Sequence, residues 1–352
     1  MLAIMYADKR PFKREKWPVY GHEWATRLLQ RQTQSGQNGP LHAYLFTGPR
    51  HLGKSTLVTA FAQTLQCKEG GGAPCGNCRS CRLFQKQTHP DFRLVSPNNK
   101  EGEVDRTGGL LRVEQANQII REVMTRPMEG RYKIFLIQDA HFANASFSNK
   151  LLKTLEEPPA HAILCLTSTD RSALLPTIVS RCQVLALRPL SVLAVKQALV
   201  NGWQADSSEA DLLARLANGR LGWAVNQLER KGEVAERQSR LEMLWSLISA
   251  RRDKRLTVAA ELAGVQNERL RSELLTLWTS WWRDVMLTQA GCSDACTNVD
   301  VQQEIERQAE NIAPDVVIDY LHTLQRIQSY LRHTINVRLA MDVLLLELPY
   351  TA

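Results

Sequence analysis

An α/β domain built on a mostly parallel sheet, followed by an all-helical C-terminal half, is the fold class this sequence predicts. Two observations predict it. Up to Pro189, short apolar strands alternate with stretches of helical spacing, the pattern of a sheet covered on both faces. Beyond Pro189 nearly every segment has helical periodicity. The 352 residues, 44% hydrophobic and 23% charged, suffice for two or three domains and are too apolar for a disordered chain. Apolar runs such as Val343–Leu346 are too short to span a bilayer. The start, Met1–Ala7, lacks a basic segment before it and a cleavage site after it, so the expected location is the cytoplasm. A net charge of +8, from 44 basic and 36 acidic residues, permits an acidic partner such as nucleic acid without requiring one.

The elements follow in order. Residues 8–18 are polar and basic and read as an arm. Trp24–Arg31 has helical spacing, Ala43–Thr47 reads as a strand, and Leu57, Phe61 and Leu65 start a helix after Lys54. A cysteine-bearing stretch with Gly70, Gly71, Gly72 and Pro74 follows, and residues 95–109 read as a polar loop. Arg112–Met124 reads as a helix, Lys133–Ile137 as a strand, and Ser148–Leu155 as a helix stopped by Pro158 and Pro159. Ile163–Leu166 and Val184–Leu187 complete the strands. Among the C-terminal helices, Leu270, Leu274, Trp278, Trp281 or Trp282, and Val285 mark one apolar face, and Val317, Leu321, Leu324 and Leu331 another. Loops are expected near Ala205–Ser208 and Gly291–Asn298. Tryptophans at such spacing belong to a core or a subunit interface rather than to base stacking.

Gly48-Pro49-Arg50-His51-Leu52-Gly53-Lys54-Ser55 fits the phosphate-loop pattern G-x-x-x-x-G-K-[ST], between a predicted strand and a predicted helix. The glycines let backbone N–H groups close around phosphates, and the helix start adds positive potential. Gly48, Gly53, Lys54, Ser55 and Thr56 are the expected nucleotide-binding residues, with Lys54 on the β/γ-phosphates and the Ser55 hydroxyl on Mg²⁺. The nucleotide would be ATP or ADP. An ATPase also needs an acid at the end of a neighbouring strand to hold Mg²⁺. Here Lys133–Ile137 runs into neutral Gln138 and then Asp139. By strand alternation Asp139 should point to the opposite side. It stands where many ATPases place a water-activating Glu, but it is shorter by about 1.5 Å. Binding survives such a change better than hydrolysis does.

Cys67, Cys75, Cys78 and Cys81 offer four thiolates within 15 residues. That density in a chain without an export signal reads as a metal site. Structural Zn²⁺ is the first expectation, because C-x2-C turns aim successive sulfurs at one ion and the segment is too poor in apolar residues to order itself. An iron–sulfur cluster uses the same four thiolates. Cys292 and Cys296 lack two further ligands and read as incidental. His89, in a His-Pro-Asp turn, reads as ending a helix rather than as a ligand or base. Of residues 67–81, only Lys68, Asn77 and Arg79 could touch nucleic acid.

These motifs together resemble the AAA+ clamp-loader subunits of bacterial DNA polymerase III. The resemblance rests on His42–Gly48 leading into the phosphate loop, the four-cysteine insert, Thr88-His89-Pro90-Asp91, Asn149–Pro159, Ser180-Arg181-Cys182 and Asn298-Val299-Asp300, and it runs over essentially the whole chain. It implies an AAA+ domain over 1–189 with a zinc module at about 67–81, a helical lid over 190–235 and a collar over 236–352. It implies gamma/tau-type and delta-type siblings in a ring, a sliding clamp and primed DNA as partners, and Arg181 as an arginine finger reaching a neighbour's ATP site. In the gamma/tau motor subunit, Asp-Glu stands where this chain has Gln138-Asp139. The motor's lid arginine falls at Gly222 here, with Arg220 out of register. Both departures favour a subunit that assembles and assists over one that hydrolyses.

Overall fold

The computed structural model describes residues 17–34, 39–70, 72–105, 108–229, 232–264, 268–331 and 336–351. The chain forms two compact units, one ending at Pro189 and one beginning at Leu190. In the first, helices α1 (Glu23–Thr33), α2 (Lys54–Gln66), α3 (Arg79–Gln85), α4 (Val113–Val123), α5 (Ala145–Glu156) and α6 (Pro176–Val179) surround strands β1 (Ala43–Thr47), β2 (Phe92–Val95), β3 (Lys133–Ile137), β4 (Ala162–Ser168) and β5 (Gln183–Ala186). The strands are parallel, in the order β2-β3-β4-β1-β5.

The alternation of side chains explains why the central strands read as continuous apolar runs. Every residue of β1 and β4 is buried. Tyr44, Phe46, Ile134, Leu136, Ile163 and Cys165 face α1 and α2 through Leu29, Leu57, Val58 and Phe61. Ala43, Leu45, Phe135, Ile137, Leu164 and Leu166 face α4 and α5 through Ile119, Val123, Leu151 and Leu155. A parallel sheet with both faces covered has no position for a solvated side chain in its central strands.

Three features depart from the expectation. β2 had no strand reading, because a four-residue edge strand paired only with β3 needs little apolar pattern, and Arg93 breaks what there is. Helix α3 runs through the cysteine stretch and contains Cys81. The arm ends before Trp17: this indole is buried against Phe61 and donates to the Gly72 carbonyl at 2.9 Å, while residues 8–16 lie outside the described part.

The second unit holds α7 (Val192–Trp203), α8 (Ser207–Leu216), α9 (Leu221–Glu229), α10 (Gly232–Ile248), α11 (Arg252–Gly264), α12 (Glu268–Gln289), α13 (Gln302–Asn311), α14 (Pro314–Tyr330) and α15 (Val337–Leu346). Helix α10 runs without a break across residue 235. Trp278, Trp281, Trp282 and Val285 of α12 are fully buried, packed with Val317, Tyr320 and Leu324 of α14, so the tryptophans are core. Leu270, assigned to the same face, is exposed. The Asn298–Asp300 motif lies in a buried polar network. Arg237 donates to Asp300 and Asn298, and Asp284 accepts the N–H groups of Thr297 and Asn298 and the Asn298 amide, at 2.7–2.8 Å. Burial pushes the Asp284 carboxyl up, against the pull of these donors.

Arg255 closes this unit. It is buried and donates to the carbonyls of Leu247, Ile248, Leu345, Leu348 and Pro349, tying the end of the chain to α10 and α11. Arg255→Met leaves those carbonyls without donors. The expected loss is at least about 3 kcal/mol, measured as a lower denaturant midpoint by tryptophan fluorescence.

Candidate functional site

The phosphate loop lies where the sheet geometry requires it, between the C-terminal end of β1 and the start of α2. Gly48 has φ 135°, and a Cβ there would collide with the Leu187 carbonyl oxygen just beyond β5. Gly53, at φ 87°, caps α2 in the left-handed region. His51 also sits at positive φ, a strain held within the loop. Leu52 is buried and anchors the loop's centre in the core.

Lys54 folds back on its own loop. Its Nζ donates to the Gly48 and Pro49 carbonyls at 2.6 and 2.7 Å. Burial brings its amine down to about 8, with Asp139 pulling it up and Arg50 pressing it further down. Thr56 follows in the first turn of α2, half-buried.

Ser55 does not face an acid. The Gln138 Nε2 donates to Ser55 Oγ at 2.8 Å, and Ser96 Oγ donates to Gln138 Oε1 at 2.9 Å. Asp139 is not on the far side of a strand, because β3 ends at Ile137 and Asp139 has turned into the left-handed region (φ 49°). Its N–H donates to Thr167 Oγ1 at 3.0 Å and its carboxylate lies 3.9 Å from Arg50. It therefore faces the loop as an ion-pair partner. The residues do not fit a Mg²⁺ site, since the required acid is an amide and the other carboxylate is paired with Arg50.

The four cysteine sulfurs lie within 4.8 Å of one another and could hold a metal ion; among the described residues no other such group occurs. The N–H groups of Cys75, Cys78 and Cys81 point at the sulfurs of Cys67, Cys75 and Cys78 at 3.3–3.4 Å. Such N–H donors favour thiolates. Burial opposes ionisation, but the N–H groups of Cys81 and Lys68 bring the Cys78 thiol to about 7. His89 is not a ligand. Its Nδ1 accepts from the Asp91 N–H at 3.1 Å, which places the proton on Nε2, 3.0 Å from Ser80 Oγ. Asp91 accepts three N–H groups, from Met128, Glu129 and Gly130, at 2.7–2.8 Å. Burial opposes its charge, but these donors hold its carboxyl below the usual range. Lys68 and Arg79 both pair with Glu129, so two of the module's three groups suited to nucleic acid are engaged within the chain.

Arg181 follows α6. It pairs with Glu156 at 2.6 Å and donates to the Thr177 carbonyl at 2.9 Å. Arg220 donates to the Ala217 carbonyl and lies over the Trp223 ring. Arg50 and Ser96 were not singled out from sequence, and Asp91 and Glu156 entered only as members of motifs, without a role of their own. Arg50 occupies a variable position of the loop motif, and Ser96 and Asp91 flank the unrecognised strand β2.

A lysine that protonates near 8 rather than 10.5 disfavours the fold while charged. Between these values unfolding takes up a proton, so stability rises from about pH 8 toward 10.5, and the full penalty applies below 8. A titration of lysine Cε resonances is expected to give Lys54 a midpoint near 8, and Arg50→Ala should move that midpoint upward.

Comparison with known proteins agrees in its two halves. A family profile described as DNA polymerase III, delta subunit, matches residues 21–191, and one described as DNA polymerase III, delta subunit, C terminal, matches residues 234–349. The DNA polymerase III subunit delta′ of Bacillus subtilis is 29% identical over 309 residues, covering 87% of this chain and 90% of that protein. The subunit delta′ of Pseudomonas aeruginosa is 37% identical over 177 residues, 50% of this chain and 48% of that protein. The subunit tau of Bacillus subtilis is 24% identical over 370 residues, 99% of this chain but only 63% of that longer protein.

Proposed function

The chain belongs to the DNA polymerase III delta-subunit family, and from that membership we propose that it is a delta-prime-type subunit of a bacterial clamp loader. In this reading residues 1–189 form the AAA+ domain, 190–235 the lid and 236–352 the collar. The collar joins gamma/tau-type and delta-type siblings in a ring, and the ring sets a sliding clamp on primed DNA in the cytoplasm. The observation that carries the reading is the Gln138 amide against Ser55 in an otherwise complete phosphate loop. Such a site suits holding ATP or ADP better than hydrolysing it.

Arg181 then acts on a neighbour. Support comes from the topology. The chain's own phosphate loop follows Thr47 at the C-terminal end of the sheet, while Arg181 precedes Gln183, which pairs with Tyr44 near its N-terminal end. Three strand steps, about 10 Å, separate these ends before the loops are counted. An arginine placed there is suited to an ATP site in trans, and a guanidinium on developing phosphate charge is worth roughly 10³–10⁵ in rate in GTPase systems. The pair with Glu156 is half-exposed and worth only about 0–1 kcal/mol, so a stronger anion can replace it. Arg181→Ala is expected to leave the assembled complex intact on size exclusion while lowering its ATP turnover at least about tenfold; unchanged turnover would remove the finger.

The metal is zinc in this reading. Four thiolates around Zn²⁺ at about 2.3 Å imply sulfur–sulfur edges of about 3.8 Å, and Cys75 Sγ lies 3.9 Å from Cys81 Sγ. Four protein ligands leave no open position, so the role is structural. Metal analysis should give one zinc per chain. Chelation should make residues 67–81 protease-sensitive, and zinc affinity should fall as pH is lowered, because protons compete for the sulfurs.

A gamma/tau-type motor is the second reading, favoured by the complete loop and by the tau relative's match along the chain. ATP turnover by the purified chain, with Mg²⁺ and primed DNA, separates the two. Negligible turnover supports the assembly subunit. Robust turnover abolished by Lys54→Ala makes the chain a motor.

A further inference from the structure

Nucleotide binding at Gly48–Thr56, part of the reading above, leaves open the form in which the nucleotide is taken. A phosphate loop ordinarily binds its nucleotide with Mg²⁺ held between the loop hydroxyl and an acid from the neighbouring strand. The surroundings of Ser55 are arranged against that ion. Gln138 follows β3 at the acid's position and has no charge to offer a divalent cation. Its Nε2–H points at Ser55 Oγ from 2.8 Å, so a positive hydrogen occupies one of the two lone pairs of the hydroxyl that would ligate the metal and repels a cation approaching it. Turning the amide away would break the bond from Ser96 Oγ to Gln138 Oε1, and the side chain is buried at 7% exposure. The acid next along the chain, Asp139, is held by its left-handed turn and by Thr167 and faces Arg50 at 3.9 Å. Positive charge is nonetheless present, because Arg50 and Lys54 both belong to the loop.

We propose that this loop takes a nucleoside di- or triphosphate free of divalent cation, with Gln138 excluding the ion, Ser96 positioning Gln138, and Lys54 and Arg50 neutralising the phosphates. The hydrogen bond from Gln138 leaves the Ser55 O–H free to rotate and donate to a phosphate oxygen. Binding displaces Lys54 from the Gly48 and Pro49 carbonyls, which lie at its present bonding distance.

The test is calorimetric titration of ATP into the full-length chain, once with excess Mg²⁺ and once with EDTA. The wild-type chain is expected to bind at least as tightly in EDTA as in Mg²⁺. Gln138→Asp restores the acid and removes the amide, so Mg²⁺ should then tighten binding about tenfold or more, roughly 1.4 kcal/mol. A thermal melt checks that this variant folds, and the two wild-type titrations decide the matter without it. Wild-type binding about tenfold tighter in Mg²⁺ than in EDTA overturns the proposal and leaves the clamp-loader reading standing. No binding in either buffer overturns the proposal together with the nucleotide-holding part of that reading.

Discussion

The close passage of Gly48 beneath the end of β5 is the constraint on which the site depends. The end of β1 is clamped from both sides: the Leu187 N–H donates to the Thr47 carbonyl at 2.8 Å, and the Gly48 N–H to the Thr169 carbonyl at 3.2 Å. No side chain fits between Gly48 and Leu187. The loop's first turn is thereby set by backbone contacts with its two neighbouring strands. Leu52 fixes its middle, and Gly53 starts α2. From that start Lys54 points back into the loop and Ser55 toward the end of β3, where Gln138 meets it. The loop's shape is thus built by the sheet, and the chemistry at its rim is decided by Ser96 and Gln138, the residues that directly follow β2 and β3.

The cysteine module is joined to the same sheet by polar contacts rather than by a core of its own. Glu129 receives Lys68 and Arg79 from the module, while Asp91 holds the three N–H groups of residues 128–130. Gln66, the last residue of α2, accepts the Arg131 N–H and donates to the Tyr132 carbonyl. Apolar contact comes from Trp17, from Ala73, and from Phe84 of α3, which lies against Phe92 of β2. The turn before β3 is therefore braced by α2, by β2 and by the module. A metal on the four sulfurs would order the one segment of this assembly that has little apolar surface to order it.

The regular strands of the sheet were legible because burial on both faces leaves a contiguous apolar run. Ala43–Thr47 and Lys133–Ile137 were readable to the residue for that reason. Edge strand β2 was not legible because Arg93 interrupts its four residues, whereas the likewise partly exposed edge strand β5 was read from the unbroken apolar run Val184–Leu187. The phosphate loop and the cysteine set were legible because their chemistry demands fixed residue types at short spacing. Asp139 shows where spacing misleads. Alternation holds only while the backbone remains extended, and one left-handed residue returned this carboxylate to the loop. Ser96 could not be found from sequence, because its part in the site is to orient Gln138, 42 residues away.

Retention of the loop without its acid follows from the difference between holding a ligand and turning it over. A bound nucleotide stabilises the folded chain by RT ln(1 + [L]/Kd), about 2.7 kcal/mol at a hundredfold excess over Kd. That gain needs only the loop amides, Lys54 and a shaped cavity. Hydrolysis needs in addition a metal and an oriented water, and it ends the gain at each turnover. In the proposed reading, the amide at position 138 would separate the two functions while holding Ser55 by a hydrogen bond. Arg181, at the other end of the sheet, does not depend on that choice, because its surroundings are α5, α6 and the start of β5. In the proposed reading, a subunit arranged in this way would keep its own site occupied while presenting an arginine to the site of another.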